Sequence, residues 1–156
     1  MNRTMRAATA AFARTPARYL LRPLVTPLDR FLFHASGGRL KLSAPAVPSL
    51  MLFTIGAKSG ARRESPLMCF PQADGTWFIA GSNFGLEQHP AWTANLMANP
   101  DAEMHYRREL IPVRAALLTH EEAESTWPLL EEQWPGYREY EKAAKRDIRV
   151  FRLTRA

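Results

Sequence analysis

The segment TIGAKSGARRESPL, residues 54–67, places Lys58, Ser59, Arg62 and Arg63 around Gly60 directly after an apolar run. Ammonium and guanidinium groups beside a hydroxyl form a donor set for a phosphate or carboxylate, because charge-assisted hydrogen bonds are stronger than neutral ones. A loop between paired strands can add inward-turned backbone N–H groups, and Gly60 has no Cβ to hold an anion away from them. The order GxxxxGK[ST] is absent and no helix pattern follows, so this is not a Walker loop. A solvated basic hairpin tip is the other reading of the same residues.

Two further segments carry polar or aromatic groups suited to a site. AGSNFGLEQHPAW, residues 80–92, sets Ser82 and Asn83 beside Gly85 and then opens a helix at Pro90, whose free N–H groups carry partial positive charge. WPGYREY, residues 134–140, supplies Trp134, Tyr137 and Tyr140, the tyrosines three apart and on one helical face. Taken singly, each has a plainer explanation: Ser82 as a turn residue, Trp92 as a core aromatic, the tyrosines as packing. No Ser-His-Asp or Cys-His spacing is present, and no carboxylate pair suggests an acid–base couple, since seven of the fifteen acids fall in the helix-forming stretch 121–141 and read as solvated. His34, His105 and His120 lack metal-ligand spacing, so no metal is expected; His89, just before a helix start, reads as a capping residue.

These segments need elements to hold them. Strand patterns occur at SLMLFTI (49–55), SPLMCF (65–70) and TWFIAGS (76–82), the last two joined by the turn PQADG, which predicts an antiparallel meander. A short helix over HPAWTANLMANP follows, with Pro90 at its first position and a stop at Asn99-Pro100. AEMHYR and ELIPVRAALL form a hairpin about Arg107 and Arg108, with Ile111, Val113, Ala115 and Leu117 alternating onto one face. Thr119 and Glu122 form a capping box that starts the next helix; GYREYEKAAKR is a second helix and IRVFRLT a final strand. Strands arriving in hairpins exclude a doubly wound parallel sheet. The expected fold is mainly β with helices (α+β): a small barrel of antiparallel strands with helices packed outside.

Composition bounds the rest. The 156 residues, 46% hydrophobic and 23% charged, suit one folded domain. The lone Cys69, inside PLMCF, forms no internal disulfide and reads as a buried apolar side chain in a reducing cytoplasm. Charge is uneven: residues 1–63 carry eleven Lys or Arg against Asp29 alone, a net +10, while the remainder is −4. Residues 1–34 read as helical, interrupted by Pro16, Pro23 and Pro27, and are followed by the connector GGRLKLSAPAVP. This basic helical arm, residues 1–40, has the composition of a transit peptide, of a helix lying on anionic lipid, or of a helix packed across the domain of residues 41–156. It has no apolar run long enough to span a bilayer, which points to a cytoplasmic location with the inner membrane face as an alternative. No nucleic-acid-binding module is visible, so nucleic acid is not an expected partner.

Read together and in order, TIGAKSGARRESPL, IAGSNFG, HPAWTANLMANP, WPGYREY and the closing IRVFRL resemble the deazaflavin-dependent nitroreductase and quinone reductase family over about residues 50–153. That family uses coenzyme F420, an 8-hydroxy-5-deazaflavin, on a split β-barrel. The resemblance implies that Lys58, Ser59, Gly60 and Arg63 meet the cofactor's phosphate and acidic tail. Pro66 and Leu67 would lie along the deazaflavin ring, and Ala80, Gly81, Ser82 and Asn83 would pass its edge mostly by backbone groups. Ala91, Trp92 and Asn95 would complete the cofactor side, Asn95 as a brace between loops. Phe84, Trp134, Tyr137 and Tyr140 would line the substrate side, with Ser82, Tyr137 and Tyr140 as donors to the acceptor. The sequence departs from the family pattern at Ala57, at the Asn83-Phe84 pair and at Trp134, all but the first beside the expected acceptor pocket.

The implied reaction is hydride transfer from the reduced deazaflavin to an electron-poor small molecule such as a quinone, an enone or a nitro compound. Two other readings stay open on sequence: a non-catalytic carrier of a deazaflavin or a lipid, and an oxidoreductase using FMN on the same kind of barrel. A monomer or weak homodimer is expected.

Overall fold

The computed structural model describes residue 11 and residues 14–36 and 47–156. The first ten residues of the expected arm, and residues 37–46 of the connector with the boundary at 40, lie outside the described residues.

Helix α1, Ala17–Ala35, leads into seven strands: β1 Ser49–Ile55, β2 Arg62–Met68, β3 Phe70–Pro71, β4 Trp77–Ala80, β5 Asp101–Tyr106, β6 Glu109–Leu117 and β7 Val150–Arg155. A 3₁₀ turn, Asn83–Gly85, and helix α2, Ala91–Ala98, separate β4 from β5, while α3, His120–Gln133, and α4, Tyr137–Ala144, separate β6 from β7. The strands form one antiparallel sheet in the order β2-β1-β5-β6-β7-β4-β3. The sheet curls until β2, at one edge, approaches β4 near the other, which leaves a seam instead of a closed barrel.

The two faces of the sheet bury separate clusters, and strand alternation assigns each side chain to one of them. In β4, Trp77 and Ile79 join Leu50, Leu52, Met104, Val113 and Phe151 inside the curl; Phe78 and Ala80 face outward onto Trp127, Leu130 and Tyr137. Helix α2 fills the inner face with Trp92 and Leu96, and α3 and α4 cover the outer one. Thr119 Oγ1 accepts from the Glu122 N–H at 3.2 Å and the Glu122 carboxylate accepts from the Thr119 N–H at 2.8 Å, so the expected capping box starts α3. The two-residue turn at Arg107 and Arg108, both at positive φ (47° and 72°), joins β5 and β6 as the pattern required.

Three expectations are corrected. SPLMCF and TWFIAGS do not pair along their length: β2 stays on β1, the chain breaks register at buried Cys69, and only Phe70 and Pro71 pair with β4. The meander fails because residues 65–68 extend the β1 hairpin, and Cys69, whose N–H donates to Pro48 O at 2.9 Å, turns the chain to the far edge of the sheet. Leu117 is 43% exposed, and the next residue, Leu118, takes the buried place at the strand's end. Helix α1 runs unbroken through Pro23 and Pro27. The prolines are four apart and both exposed, so their ring clashes and missing N–H groups fall on the face where water can solvate the freed carbonyls.

α1 is anchored on the barrel by buried Phe33, whose ring meets His105 edge-on at 5.0 Å, and by the Glu64 carboxylate of β2. Arg30 donates to that carboxylate at 3.0 Å and His34 lies 2.9 Å from its other oxygen. Burial alone would raise the Glu64 pKa, but the hydrogen bonds from Arg30 and His34 hold it below the usual glutamate value.

Candidate functional site

The turn from β1 to β2 is closed by Gly56 N–H to Ala61 O and Gly60 N–H to Gly56 O, both 2.8 Å. Gly60 adopts φ +66°, with nothing within 4 Å of where a Cβ would stand, so its backbone is open to solvent. Lys58, Ser59 and Arg63 are exposed around it, and Ser59 Oγ accepts from Arg63 Nη2 at 3.4 Å. Arg62 is engaged elsewhere: it donates to Glu103 at 2.7 Å and stacks 4.2 Å over the Phe53 ring. Among the described residues Lys58 and Arg63 have no carboxylate partner. Two cations and a hydroxyl are therefore available to an external anion.

Asn95, on α2, supports this turn from beneath. Its Oδ1 accepts from the Ala57 N–H at 2.9 Å and its Nδ2 donates to Thr54 Oγ1 at 3.0 Å. Asn95 and Thr54 are both buried, and the hydrogen bonds satisfy groups that water does not reach.

Across the seam, β4 ends at Ala80 and the chain enters a turn in which Asn83, Phe84 and Gly85 all have positive φ, at 49°, 57° and 78°. Asn83 Nδ2 donates to Gln88 O at 2.8 Å. A Cβ at Gly81 would stand 2.8 Å from Thr93 Cγ2, so the end of β4 packs directly on α2. Arg146, after α4, donates to the carbonyls of Leu86 (3.2 Å), Gly81 (3.2 Å), Gln88 (3.3 Å) and Ser82 (3.4 Å). Burial, with Arg149 nearby, lowers its pKa from the usual arginine value. Arg149 in turn donates to Thr93 Oγ1 at 3.1 Å. Sequence reasoning missed both arginines, because nothing local marks a cation after a helix as the partner of a turn sixty residues earlier.

His89 does not cap α2: Pro90 is the N-cap and no side chain satisfies the helix end. Its Nδ1 is buried and, among the described residues, unpartnered. Burial, then Arg146 and Arg149, lower its pKa, so folding disfavours the imidazolium. The folded state thus binds fewer protons than the unfolded one below about pH 6.5, and stability falls as the pH drops through that value. His89→Gln is expected to flatten this part of the profile; urea unfolding at pH 5 and 7.5 measures it.

Pro66 and Leu67 are half-buried on β2, which approaches β4, and Ala80, Ser82, Asn83 and Phe84 are half-buried where β4 ends and the following turn begins. Ala91 is exposed at the start of α2, whereas Trp92 is buried and its ring meets Phe151 at 5.6 Å in the inner core. Tyr137 and Tyr140 are 1% and 3% exposed, packed on Phe70, Trp127 and each other. Burial pushes the Tyr137 hydroxyl far above the usual tyrosine value. Both tyrosines therefore sit in the outer core, and Phe84 packs on Tyr140 with the two rings 6.4 Å apart. Trp134 is half-buried, and its indole N–H has no acceptor among the described residues.

A model of the F420H(2)-dependent quinone reductase family matches residues 29–155. The chain belongs to that family. An F420H(2)-dependent quinone reductase of Mycobacterium tuberculosis is 30% identical over 128 residues, spanning 80% of this chain and 85% of the relative. A solved F420-H2 dependent reductase, FDR-A, is 35% identical with a TM-score of 0.62, over 69% of this chain and 94% of that one. Another solved chain, described as a domain-swapped dimer, is 30% identical with a TM-score of 0.65 and covers 90% of this chain and 100% of its own. The split-barrel fold and the F420H2-dependent oxidoreductase class expected from the sequence agree with this membership. Coenzyme F420 is the cofactor of this family, and the residues fit it: Lys58 and Arg63, exposed and without a carboxylate partner among the described residues, suit its acidic tail.

Proposed function

We propose that this member of the F420H(2)-dependent quinone reductase family binds coenzyme F420 along the seam and reduces an electron-poor acceptor, a quinone before an enone or a nitro compound. When bound, the reduced deazaflavin supplies the hydride. Lys58, Ser59, Gly60 and Arg63 hold the phosphate and acidic tail. Pro66 and Leu67 support one side of the ring, Ala80, Gly81, Ser82 and Asn83 line its edge, and Ala91 closes the cofactor side. Trp92 and Asn95 act from behind, one as core packing and the other as the brace of the turn.

The observation that carries this reading is that Lys58 and Arg63, both exposed at the turn from β1 to β2, have no carboxylate partner among the described residues. On the acceptor side, Phe84 and Trp134 shape the pocket over Tyr137 and Tyr140. Hydride arrival builds negative charge on the acceptor, and Ser82, half-buried at the end of the seam, is the donor placed to stabilise it. Tyr137 and Tyr140 hold the wall on which Phe84 rests. Mixing the protein with reduced coenzyme F420 and menadione and following loss of reduced coenzyme tests the reading. Turnover is expected; tight binding without turnover across quinones, enones and nitroaromatics would leave a carrier instead.

The finer location is also proposed. No helix among the described residues is long and apolar enough to cross a membrane. α1, however, exposes Leu24 (64%), Leu28 (43%) and Phe31 (67%) at helical spacing on a basic arm, the pattern of a helix resting on anionic lipid. Sedimentation with anionic liposomes is expected to bring the protein down, and Leu24→Glu with Phe31→Glu to release it. A weak homodimer is the proposed assembly, in keeping with the dimer described for one relative.

A further inference from the structure

Four carbonyl oxygens of the turn from Gly81 to Gln88 converge on one guanidinium, that of Arg146, at 3.2–3.4 Å. Asn83 and Phe84 have side chains yet sit at φ 49° and 57°, where a Cβ is crowded by the backbone, and such strain persists only when the surroundings impose it.

The carbonyls that Arg146 grips identify which groups face the other way. In a planar trans peptide the N–H points opposite its carbonyl. The Gly81 and Ser82 carbonyls share their peptide planes with the N–H groups of Ser82 and Asn83, which are thereby turned away from the guanidinium. Among the described residues neither N–H meets a protein acceptor. Ser82 is right-handed (φ −66°, ψ −30°) and Asn83 has positive φ, a sequence of conformations that turns successive N–H groups into one concavity. A cation on the carbonyl side polarises each peptide and strengthens its N–H as a donor.

We propose that Arg146 is a positioning residue: it moulds a nest from the N–H groups of Ser82, Asn83 and Phe84 and sharpens their donation to an electron-rich oxygen or nitrogen of the ligand in the seam. This rests on the reading that the seam holds the deazaflavin ring. It gives the guanidinium a task that local packing does not explain, since four of its five hydrogen bonds fall on the turn that borders the proposed ring edge and only the fifth, to Asp147 O at 3.2 Å, is local. It also explains how Phe84 takes a conformation that glycine would adopt more readily: Arg146 holds the backbone while the Phe84 side chain covers Tyr140.

The test uses the whole protein, oxidised coenzyme F420 and the variants R146A and R146K. In R146A, amide exchange of residues 82–88 is expected to rise about tenfold or more with β7 and β1 unchanged. Coenzyme affinity is expected to fall roughly ten- to a hundredfold, through lost donors and lost shape, while the KM for menadione holds. R146K, with one ammonium in place of a planar fork, restores only part of the affinity. If R146A does not fold, R146K carries the test through the same two readouts. Wild-type exchange at 82–88 in the variants, or a rise spread equally through the sheet, overturns the proposal. A local rise in exchange with unchanged coenzyme affinity removes the ligand role of the nest. Failure of the wild-type protein to bind the coenzyme at all overturns the seam reading itself.

Discussion

Replacing Lys58 and Arg63 together by alanine is expected to weaken the binding of oxidised coenzyme F420 on the order of a hundredfold. Each charge-assisted hydrogen bond contributes about 1.5–3 kcal/mol when its partner is ionised, and exposure to solvent places this pair at the low end. Two such losses near 1.5 kcal/mol give roughly 3 kcal/mol, or about two decades in Kd. Salt dependence should change with affinity, because a contact between exposed charges is screened within about 10 Å at 0.1 M salt. The double variant is expected to show a shallower fall in affinity with added salt than the wild-type protein. Arg62→Ala is the internal control: it removes one positive charge from the same hairpin, where the double variant removes two, but that guanidinium is already held by Glu103 and the Phe53 ring. Its effect should be a small fraction of the double variant's. Titration calorimetry at two ionic strengths measures all three proteins, and equal losses for Arg62→Ala and for the double variant would reduce the loop to a general electrostatic attraction.

That distinction between Arg62 and Arg63 was not legible in the sequence, where the two stand side by side. Strand alternation separates them only once β2 is known to begin at Arg62, which gives successive side chains opposite faces of the sheet. Much of the rest was legible because it is local. Alternating apolar residues in TWFIAGS, the Thr119–Glu122 capping box and the turn at Arg107 and Arg108 each depend on neighbours within a few positions, and each occurs as the pattern requires. The anionic character expected of the ligand was also legible, since Lys58, Ser59 and Gly60 are consecutive.

What stayed hidden depends on contacts distant along the chain. SPLMCF has the composition of one strand, yet Cys69 divides it between opposite edges of the sheet, a choice set by which partner strand is free after β1 and β2 have paired. Tyr137 and Tyr140 were correctly placed on one helix face. Whether that face lines a pocket or a core depends on Phe70, Phe78 and Trp127 filling the space against it. Arg146 is the clearest case. Its role arises from four carbonyls in a segment some sixty residues away, and backbone oxygens carry no sequence signal.

Asn95→Leu is expected to cost about 3 kcal/mol in stability and to loosen the coenzyme loop at the same time. The side chain keeps nearly the same volume, so cavity formation contributes little; the loss comes from stranding the Ala57 N–H and the Thr54 hydroxyl without their partner, at about 1–3 kcal/mol for each buried group left unsatisfied. Thr54→Val removes one of those stranded groups. In its background the same Asn95→Leu change should therefore cost roughly 1 kcal/mol less, a coupling that a double-mutant cycle in urea isolates. The Ala57 amide gives the second readout. Released from Asn95, the turn of residues 56–61 loses its only described tie to α2, and its amides should exchange faster than those of β1. Affinity for coenzyme F420 should fall with it, because Lys58 and Ser59 are held in place by the backbone that Asn95 braces. Stability lost with coenzyme affinity intact would confine Asn95 to the core and separate the hairpin's geometry from the grip of its cations.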